Sequence, residues 1–251
     1  MKHLLSRANA GVLAQLAWSN VLLGFDFDGT LSPIVARPER AHMRERTSKL
    51  LARVCRLYPC VIISGRSQPD VSARLRGAGV RHVMGNHGLE PGFGLPDFEH
   101  EVSRAKPILQ RALARWPGVD LEDKRYSLAI HYRRSRQKQK VRAAIAAAVA
   151  ALPVRMRVVP GKLVVNLVPA RAPNKADALL HLRAKEKADT ALYVGDDVTD
   201  EDVFKLDQPG RLLSVRVGKS SASAAAWFLK DQREIDRLLA TLVKLREERR
   251  P

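Results

Sequence analysis

The 251-residue sequence predicts an α/β fold: a doubly wound parallel sheet interrupted by a smaller α+β insert. Three observations predict it. Short apolar runs alternate with amphipathic helical stretches at both ends of the chain, as βαβ units require. Three of those runs end directly in polar residues: Asp26 and Asp28 after the first, Ser64-Gly65-Arg66 after the second, and Gly195-Asp196-Asp197 after a late one. In a parallel sheet such ends share one edge, where ligands bind. The middle of the chain instead alternates polar and apolar residues, which suits strands with one covered face.

Leu13, Leu16 and Ala17 at helical spacing predict a helix over residues 6–18, leading into a strand from Val21 to Phe27. A loop with Pro33 and Pro38 follows, then a helix over 44–58 with Leu50, Leu51, Val54 and Leu57 on one face, ended by Pro59. Cys60-Val61-Ile62-Ile63 reads as a buried parallel strand, followed by a helix from Pro69 to Arg76 and a strand at His82-Val83-Met84. The insert shows a helix from Val102 to Trp116, strands at Val119–Glu122 and Tyr126–Tyr132, and an Ala-rich helix over 136–151. A hairpin of Val154–Val159 and Leu163–Leu167 closes it through Pro160-Gly161-Lys162. Alternation then resumes with a helix over 174–184, a strand Ala191–Val194, a strand Leu212–Val217 and a last helix carrying Ile235, Leu238, Leu239, Leu242 and Leu245. Residues 220–226 read as a low-complexity linker and Arg246 to Arg250 as a fraying tail. The expected division is 1–94 and 169–251 for the core, with 95–168 as the insert.

Composition narrows the function classes. The formal charge is +18, from 44 Lys and Arg against 26 Asp and Glu, which suits an anionic partner. Residues 97–162 hold 15 basic and 6 acidic side chains, half of that excess, and plain solvation accounts for most of them. Only 5% of residues are aromatic and no stacking motif is present, so a basic, non-catalytic nucleic-acid-binding module is the remoter reading. Two cysteines, Cys55 and Cys60, read as buried thiols of a reducing compartment. No run approaches a membrane span, and polar residues interrupt any signal-peptide core, so the expectation is a cytoplasmic protein without membrane contact.

Asp26 and Asp28 are hard to justify structurally. Period-2 side chains put both on one face of a buried strand end, where they repel unless a cation or a shared proton intervenes. The alternative is a turn, for which Asp-Gly is a common signal. Five carboxylates between Asp196 and Asp202 add to the repulsion and call for a divalent ion, and oxygen-only ligands favour Mg²⁺ over zinc. Lys175, at a helix start just before the strand bearing that acidic cluster, offers a cation for phosphate.

The four motifs Asp26-Phe27-Asp28-Gly29-Thr30, Ser64-Gly65-Arg66, Lys175 and Gly195-Asp196-Asp197 with Asp200 stand in the order of the haloacid dehalogenase superfamily of phosphohydrolases, which the chain resembles. Leu31-Ser32-Pro33-Ile34, Gly85-Asn86-His87-Gly88-Leu89-Glu90, Glu122-Asp123-Lys124, His131-Tyr132-Arg133 and Gly195 to Glu201 narrow the resemblance to trehalose-6-phosphate phosphatases, over nearly the whole chain. It departs where that family usually reads Gly-Lys-x-Val-x-Glu-x-Arg-Pro: Asn166 stands for the Glu and Val168 for the Arg.

The resemblance implies that Asp26 is the nucleophile and Asp28 the general acid and base. It implies Mg²⁺ held by Asp26, the Asp28 backbone carbonyl and Asp196, with Asp197 and Asp200 behind them. Ser64, Gly65 and Lys175 would hold the phosphate; Arg66, His87 and Glu90 would bind substrate from the core rim, touching phosphate or sugar; and Glu122, Lys124, His131, Arg133, Lys162 and Asn166 would read the sugar from a closing cap. A monomer acting on trehalose 6-phosphate is expected, with sucrose phosphate, a glycosyl-glycerate phosphate or a monosaccharide phosphate as alternative substrates.

Overall fold

The computed structural model describes residues 1–75, 77–92, 94–161, 163–206 and 208–248. They form two compact units, one of residues 1–88 and 174–251, the other of residues 89–173.

The first unit holds a seven-stranded, all-parallel sheet. In chain order its elements are β1 (Lys2–His3), α1 (Ala10–Trp18), β2 (Val21–Phe25), α2 (Glu45–Leu57), β3 (Cys60–Ile63), α3 (Gln68–Arg74) and β4 (His82–Met84). After the insert, which contributes α4, α5 and β5 to β8, come α6 (Lys175–Lys185), β9 (Thr190–Gly195), α7 (Glu201–Phe204), β10 (Leu212–Val217), β11 (Trp227–Leu229) and α8 (Glu234–Glu247). The sheet order is β1-β11-β10-β9-β2-β3-β4. Every residue of β2 is buried because its alternating side chains feed two cores. Leu23 and Phe25 pack with α1, α2 and α8, whereas Leu22 packs on the other face with Leu179 and Leu182 of α6 and Val203 of α7. Each such Leu or Phe contributes about 1.5–3 kcal/mol by leaving water. The central strand therefore holds its C-terminal end rigidly.

Four local expectations change. The strand expected to reach Phe27 stops at Phe25, because Ser32 N–H donates to the Phe27 carbonyl (2.8 Å) and Gly29 N–H to the Ser32 carbonyl (2.7 Å), curling the chain into a turn. The first helix starts at Ala10 after a 3-10 turn at Arg7–Asn9. The stretch read as linker leads into β11, which lies between β10 and the edge strand β1 formed by the N-terminal residues; both strands are too short to carry a periodic signal. Cys60 is buried, but Cys55 is only half-buried. The expected helix end at Arg76 and the tail residues Arg249 and Arg250 lie outside the described residues.

The second unit comprises α4 (Leu95–Leu113), β5 (Asp120–Asp123), β6 (Leu128–His131), α5 (Lys138–Ala150), β7 (Met156–Gly161) and β8 (Val164–Pro169). Its antiparallel sheet runs β5-β6-β8-β7. Leu128, Ile130 and Leu167 pack on Val102 and Leu109 of α4 and on Val141 and Ile145 of α5. The helix α4 begins at Leu95, seven residues before the expected Val102, since Pro96 in its first turn needs no N–H partner. By strand alternation the sheet face away from those helices carries Glu122, His131 and Asn166. Among the described residues no helix is long and apolar enough to cross a membrane.

Candidate active site

Asp26 follows β2 directly, and its N–H still bonds the sheet through Val194 O (2.9 Å). The side chain is buried, with Oδ1 accepting from Lys175 Nζ at 2.9 Å. Lys175 is placed by a capping box: Asn174 Oδ1 accepts from Ala176 N and Asp177 N (2.8 and 3.0 Å), and Asp177 Oδ2 accepts from Asn174 N (3.0 Å). Lys175 Nζ also donates to Asp200 Oδ1 at 2.8 Å. Asp200 is fully buried and accepts four bonds, from Lys175 Nζ and Tyr193 Oη on Oδ1 (both 2.8 Å) and from Asp196 N and Asp197 N on Oδ2 (both 2.9 Å).

Asp26, Asp196 and Asp200 each bring a carboxylate oxygen within 4.8 Å of the others. Three carboxylates face one ammonium, and the electrostatics register the imbalance. Burial first, then the charges of Asp200 and Asp196, push Asp26 well above the usual carboxylate range against the pull of Lys175. Burial and Asp200 push Asp196 up to about 7. Burial alone would lower Lys175, but Asp200 and Asp26 outweigh it and keep the ammonium charged. An oxygen-only, over-acidic donor set of this kind fits a hard divalent cation such as Mg²⁺. Two glycines make room for the carboxylates themselves. A Cβ on Gly29, whose φ is +82°, would lie 2.1 Å from Asp196 Oδ2, and one on Gly195 would lie 2.2 Å from Asp200 Cγ.

Asp28 does not join this cluster with its side chain. Arg66 grips it in a fork, Nε to Oδ2 at 2.6 Å and Nη2 to Oδ1 at 2.8 Å, and is itself held by Asp70 (Nη1 to Oδ2, 2.7 Å), which Arg74 holds in turn. Asp28 remains partly open to solvent. Ser64, buried at the end of β3, accepts from Arg66 N–H at 3.2 Å. The next residue, Gly65, lies under the His87 ring, where a Cβ would come within 2.6 Å of Cε1. Asn86 and His87 both adopt left-handed backbone (φ +47° and +61°), fixed by Asn86 N–H to Arg66 O and His87 N–H to Ser64 O (2.7 and 2.8 Å). Asp197 is exposed and caps its own 3-10 turn rather than entering the cluster.

In the second unit, His131 Nε2 and Glu122 Oε2 are 2.8 Å apart. Asn166 sits opposite Ala129, across β6 from Glu122. Lys124 N–H bonds Ser127 O just past β5, Arg133 is exposed, and Glu90 is buried. Lys162 lies outside the described residues. Val168 is fully buried beside Leu89, Phe98, Tyr126 and Ala172.

Sequence reasoning missed two participants. Gln232 Nε2, just before α8, donates to the carbonyls of Thr30 (2.9 Å) and Leu31 (3.2 Å), pinning the turn after Asp26. Tyr193 was legible only as a strand residue, although a glycine within β2 hinted that something large presses there.

Residues 24–233 match the family model of trehalose-phosphatases. A trehalose-phosphate phosphatase of Mycobacterium avium is 33% identical over 228 residues, 84% of this chain and 58% of that protein. One of Mycobacterium tuberculosis is 34% identical over 201 residues, 74% of this chain and 51% of the relative. The chain thus spans little more than half the length of these curated relatives. The C-terminal domain of the C. albicans trehalose-6-phosphate phosphatase shares the fold, with a TM-score of 0.79 at 24% identity over 94% of this chain and 98% of that one. The Aspergillus fumigatus trehalose-6-phosphate phosphatase gives 0.66 at 25% identity, over 97% and 99%. With its family match extending from β2 to the residue before α8, the chain belongs to the trehalose-phosphatase family.

Proposed function

We propose that the protein hydrolyses trehalose 6-phosphate to trehalose and phosphate through an aspartyl-phosphate on Asp26. The observation that carries this reading is the arrangement of Asp26, Asp196 and Asp200 around the single ammonium of Lys175. A binding module has no use for a buried set with this charge imbalance; a site for a phosphate dianion and its counter-cation has.

In this reading Asp26 attacks phosphorus in line with the leaving sugar oxygen, and the acyl phosphate is then hydrolysed by water. Asp28 protonates the leaving oxygen and later takes a proton from the attacking water. Arg66, assigned from sequence to the substrate, has three of its donors on Asp28 and Asp70, so its part is to hold the proton carrier in place. Ser64 Oγ, the Gly65 backbone and Lys175 Nζ hold the phosphoryl oxygens. Asp26, the Asp28 carbonyl and Asp196 are the residues that would hold Mg²⁺, with Asp197 at the rim and Asp200 committed to Lys175. When bound, Mg²⁺ supplies positive charge between the anionic nucleophile and the phosphate dianion. His87 and Glu90 complete the rim. Glu122, Lys124, His131, Arg133, Lys162 and Asn166 supply the donors and acceptors that a disaccharide's hydroxyls require. The same reading takes the protein as a cytoplasmic monomer without nucleic acid, in keeping with its few aromatic residues.

One observation favours a second substrate. Val168 occupies an apolar cluster, so the position where the family usually has Arg offers no cation to a sugar here. A phosphorylated sugar other than trehalose 6-phosphate, such as sucrose phosphate or a glycosyl-glycerate phosphate, is the alternative. Phosphate release from a panel of sugar phosphates, with and without Mg²⁺, decides between them. Rates on trehalose 6-phosphate no higher than on glucose 6-phosphate would sink the first reading. Retained turnover in Asp26→Asn would remove the nucleophile.

A further inference from the structure

The geometry points to Tyr193 as a positioning residue that sets Lys175 against Asp26 through Asp200, with Gly24 present to let it do so. The inference rests on the phosphatase reading only for its kinetic consequence. Tyr193 lies in β9, its ring is fully buried, and its hydroxyl donates to Asp200 Oδ1 at 2.8 Å. The same oxygen receives Lys175 Nζ at 2.8 Å, and Oδ2 is occupied by two backbone N–H groups at 2.9 Å. A carboxylate has about four acceptor positions, and Asp200 fills all of them. Lys175 therefore donates one bond to Asp200 and no more. Its remaining donors are left for Asp26, at 2.9 Å, and for an incoming phosphoryl oxygen.

Without the phenol hydroxyl, Oδ1 would carry a vacant acceptor position in a buried site. Among the described residues the mobile donor beside it is Lys175, whose ammonium would turn towards Asp200 and loosen its hold on Asp26. The hydroxyl thus shares out the lysine rather than merely filling space.

Gly24 is an independent sign of the same device. It sits within β2, where glycine weakens a strand and packs nothing. A Cβ there would meet Tyr193 Cδ2 at 2.8 Å and Leu179 Cδ1 at 3.1 Å. The ring is further fixed by an edge contact with Phe204, 6.2 Å between centroids. The bare backbone of β2 and the aromatic on its neighbour strand together aim one hydroxyl at one carboxylate oxygen.

The test is steady-state kinetics of Tyr193→Phe and Gly24→Ala on trehalose 6-phosphate and on p-nitrophenyl phosphate, with Mg²⁺. Tyr193→Phe should lower kcat about tenfold, the effect of losing one hydrogen bond to a charged group. KM should stay within about twofold, and the factor should be equal on both substrates because the tether acts on the nucleophile and not on the sugar. Gly24→Ala should give a similar loss, and the double variant little more than either alone. Tyr58→Phe is the control for a purely structural effect, since that buried hydroxyl bonds Leu242 O at 3.0 Å; its kcat should not move. A kcat within about twofold of wild type in Tyr193→Phe, a change confined to KM, or an equal loss in Tyr58→Phe overturns the inference. If the wild-type protein turns over neither ester, the phosphatase reading fails and the crystal structure of Tyr193→Phe decides the tether. A Lys175 Nζ to Asp26 Oδ1 separation beyond about 3.5 Å supports it, and an unchanged contact refutes it.

Discussion

Lys175→Met removes the cation that bonds Asp26 and Asp200 in the cluster they form with Asp196, while keeping a side chain of similar length. Lys175 and both of its partners are almost wholly buried, with side-chain exposures of 2%, 6% and 0%, so solvent screens little of the change. Breaking a buried ion pair by removing one partner costs about 3–5 kcal/mol, against a total stability of about 5–15 kcal/mol. The pH dependence has a definite sign. Asp196 titrates near 7 in the fold and near 3.8 as an ordinary carboxyl, so its bound proton favours the folded state at acid pH, and that contribution is lost as pH rises from 3.8 through 7. Asp26 shifts in the same direction. The metal-free variant should therefore lose the full amount at pH 8 and clearly less at pH 5.5, where protonation relieves the repulsion that Lys175 no longer offsets. Urea unfolding followed by circular dichroism in EDTA reads both values, and saturating Mg²⁺ at pH 8 should restore part of the loss. A difference below about 1 kcal/mol at pH 8, or one equal at the two pH values, refutes the claim that this ammonium offsets a surplus of carboxylate.

Gly29→Ala places a methyl group on the Asp196 carboxylate at a backbone angle that alanine resists, and should cut kcat by more than about a hundredfold; wild-type rates would show that the turn relaxes freely. His131→Ala leaves Glu122 without its ring partner and should raise KM for the sugar phosphate several-fold while leaving p-nitrophenyl phosphate turnover unchanged, which parallel assays on the two esters check. Burial alone would raise Glu186, but His82 and Arg81 outweigh it and hold the carboxyl below its ordinary range. Its contribution is thus present above about pH 4.5 and lost as pH falls below that, and Glu186→Gln should flatten the acid limb of a thermal-stability profile.

The parallel core was readable because buried strands are short apolar runs with abrupt polar ends, and β2, β3 and β9 all have that form. The edge strand β1 and its neighbour β11 were not, because two or three residues carry no period and owe their place to the strands they pair with. Asp26, Lys175 and the acidic cluster were legible as residue types at strand and helix ends. Their partners were less so. Arg66 looked like a substrate ligand from its place after Ser64, yet its fork closes on a residue 38 positions earlier. Nothing in sequence singled out Tyr193, inside an apolar run, or Gln232, one polar residue among several from Lys230 to Glu234, since the groups they bond are supplied by other elements of the fold. Val168 was noticed as a missing cation, but only its apolar surroundings explain what replaced it.

The bond from Gln232 to the Thr30 and Leu31 carbonyls spans about 200 positions of the chain. During synthesis the ribosome delivers every motif of the candidate site, from Asp26 to Asp200, before it delivers this amide. A nascent chain halted soon after Asp200 would own all of those motifs while the turn after Asp26 still lacked the clamp that sets it. β2 must likewise wait for β9 to occupy its open flank. The turn after Asp26 is thus set only once Gln232 is in place, and a product stalled or clipped before that residue lacks the clamp.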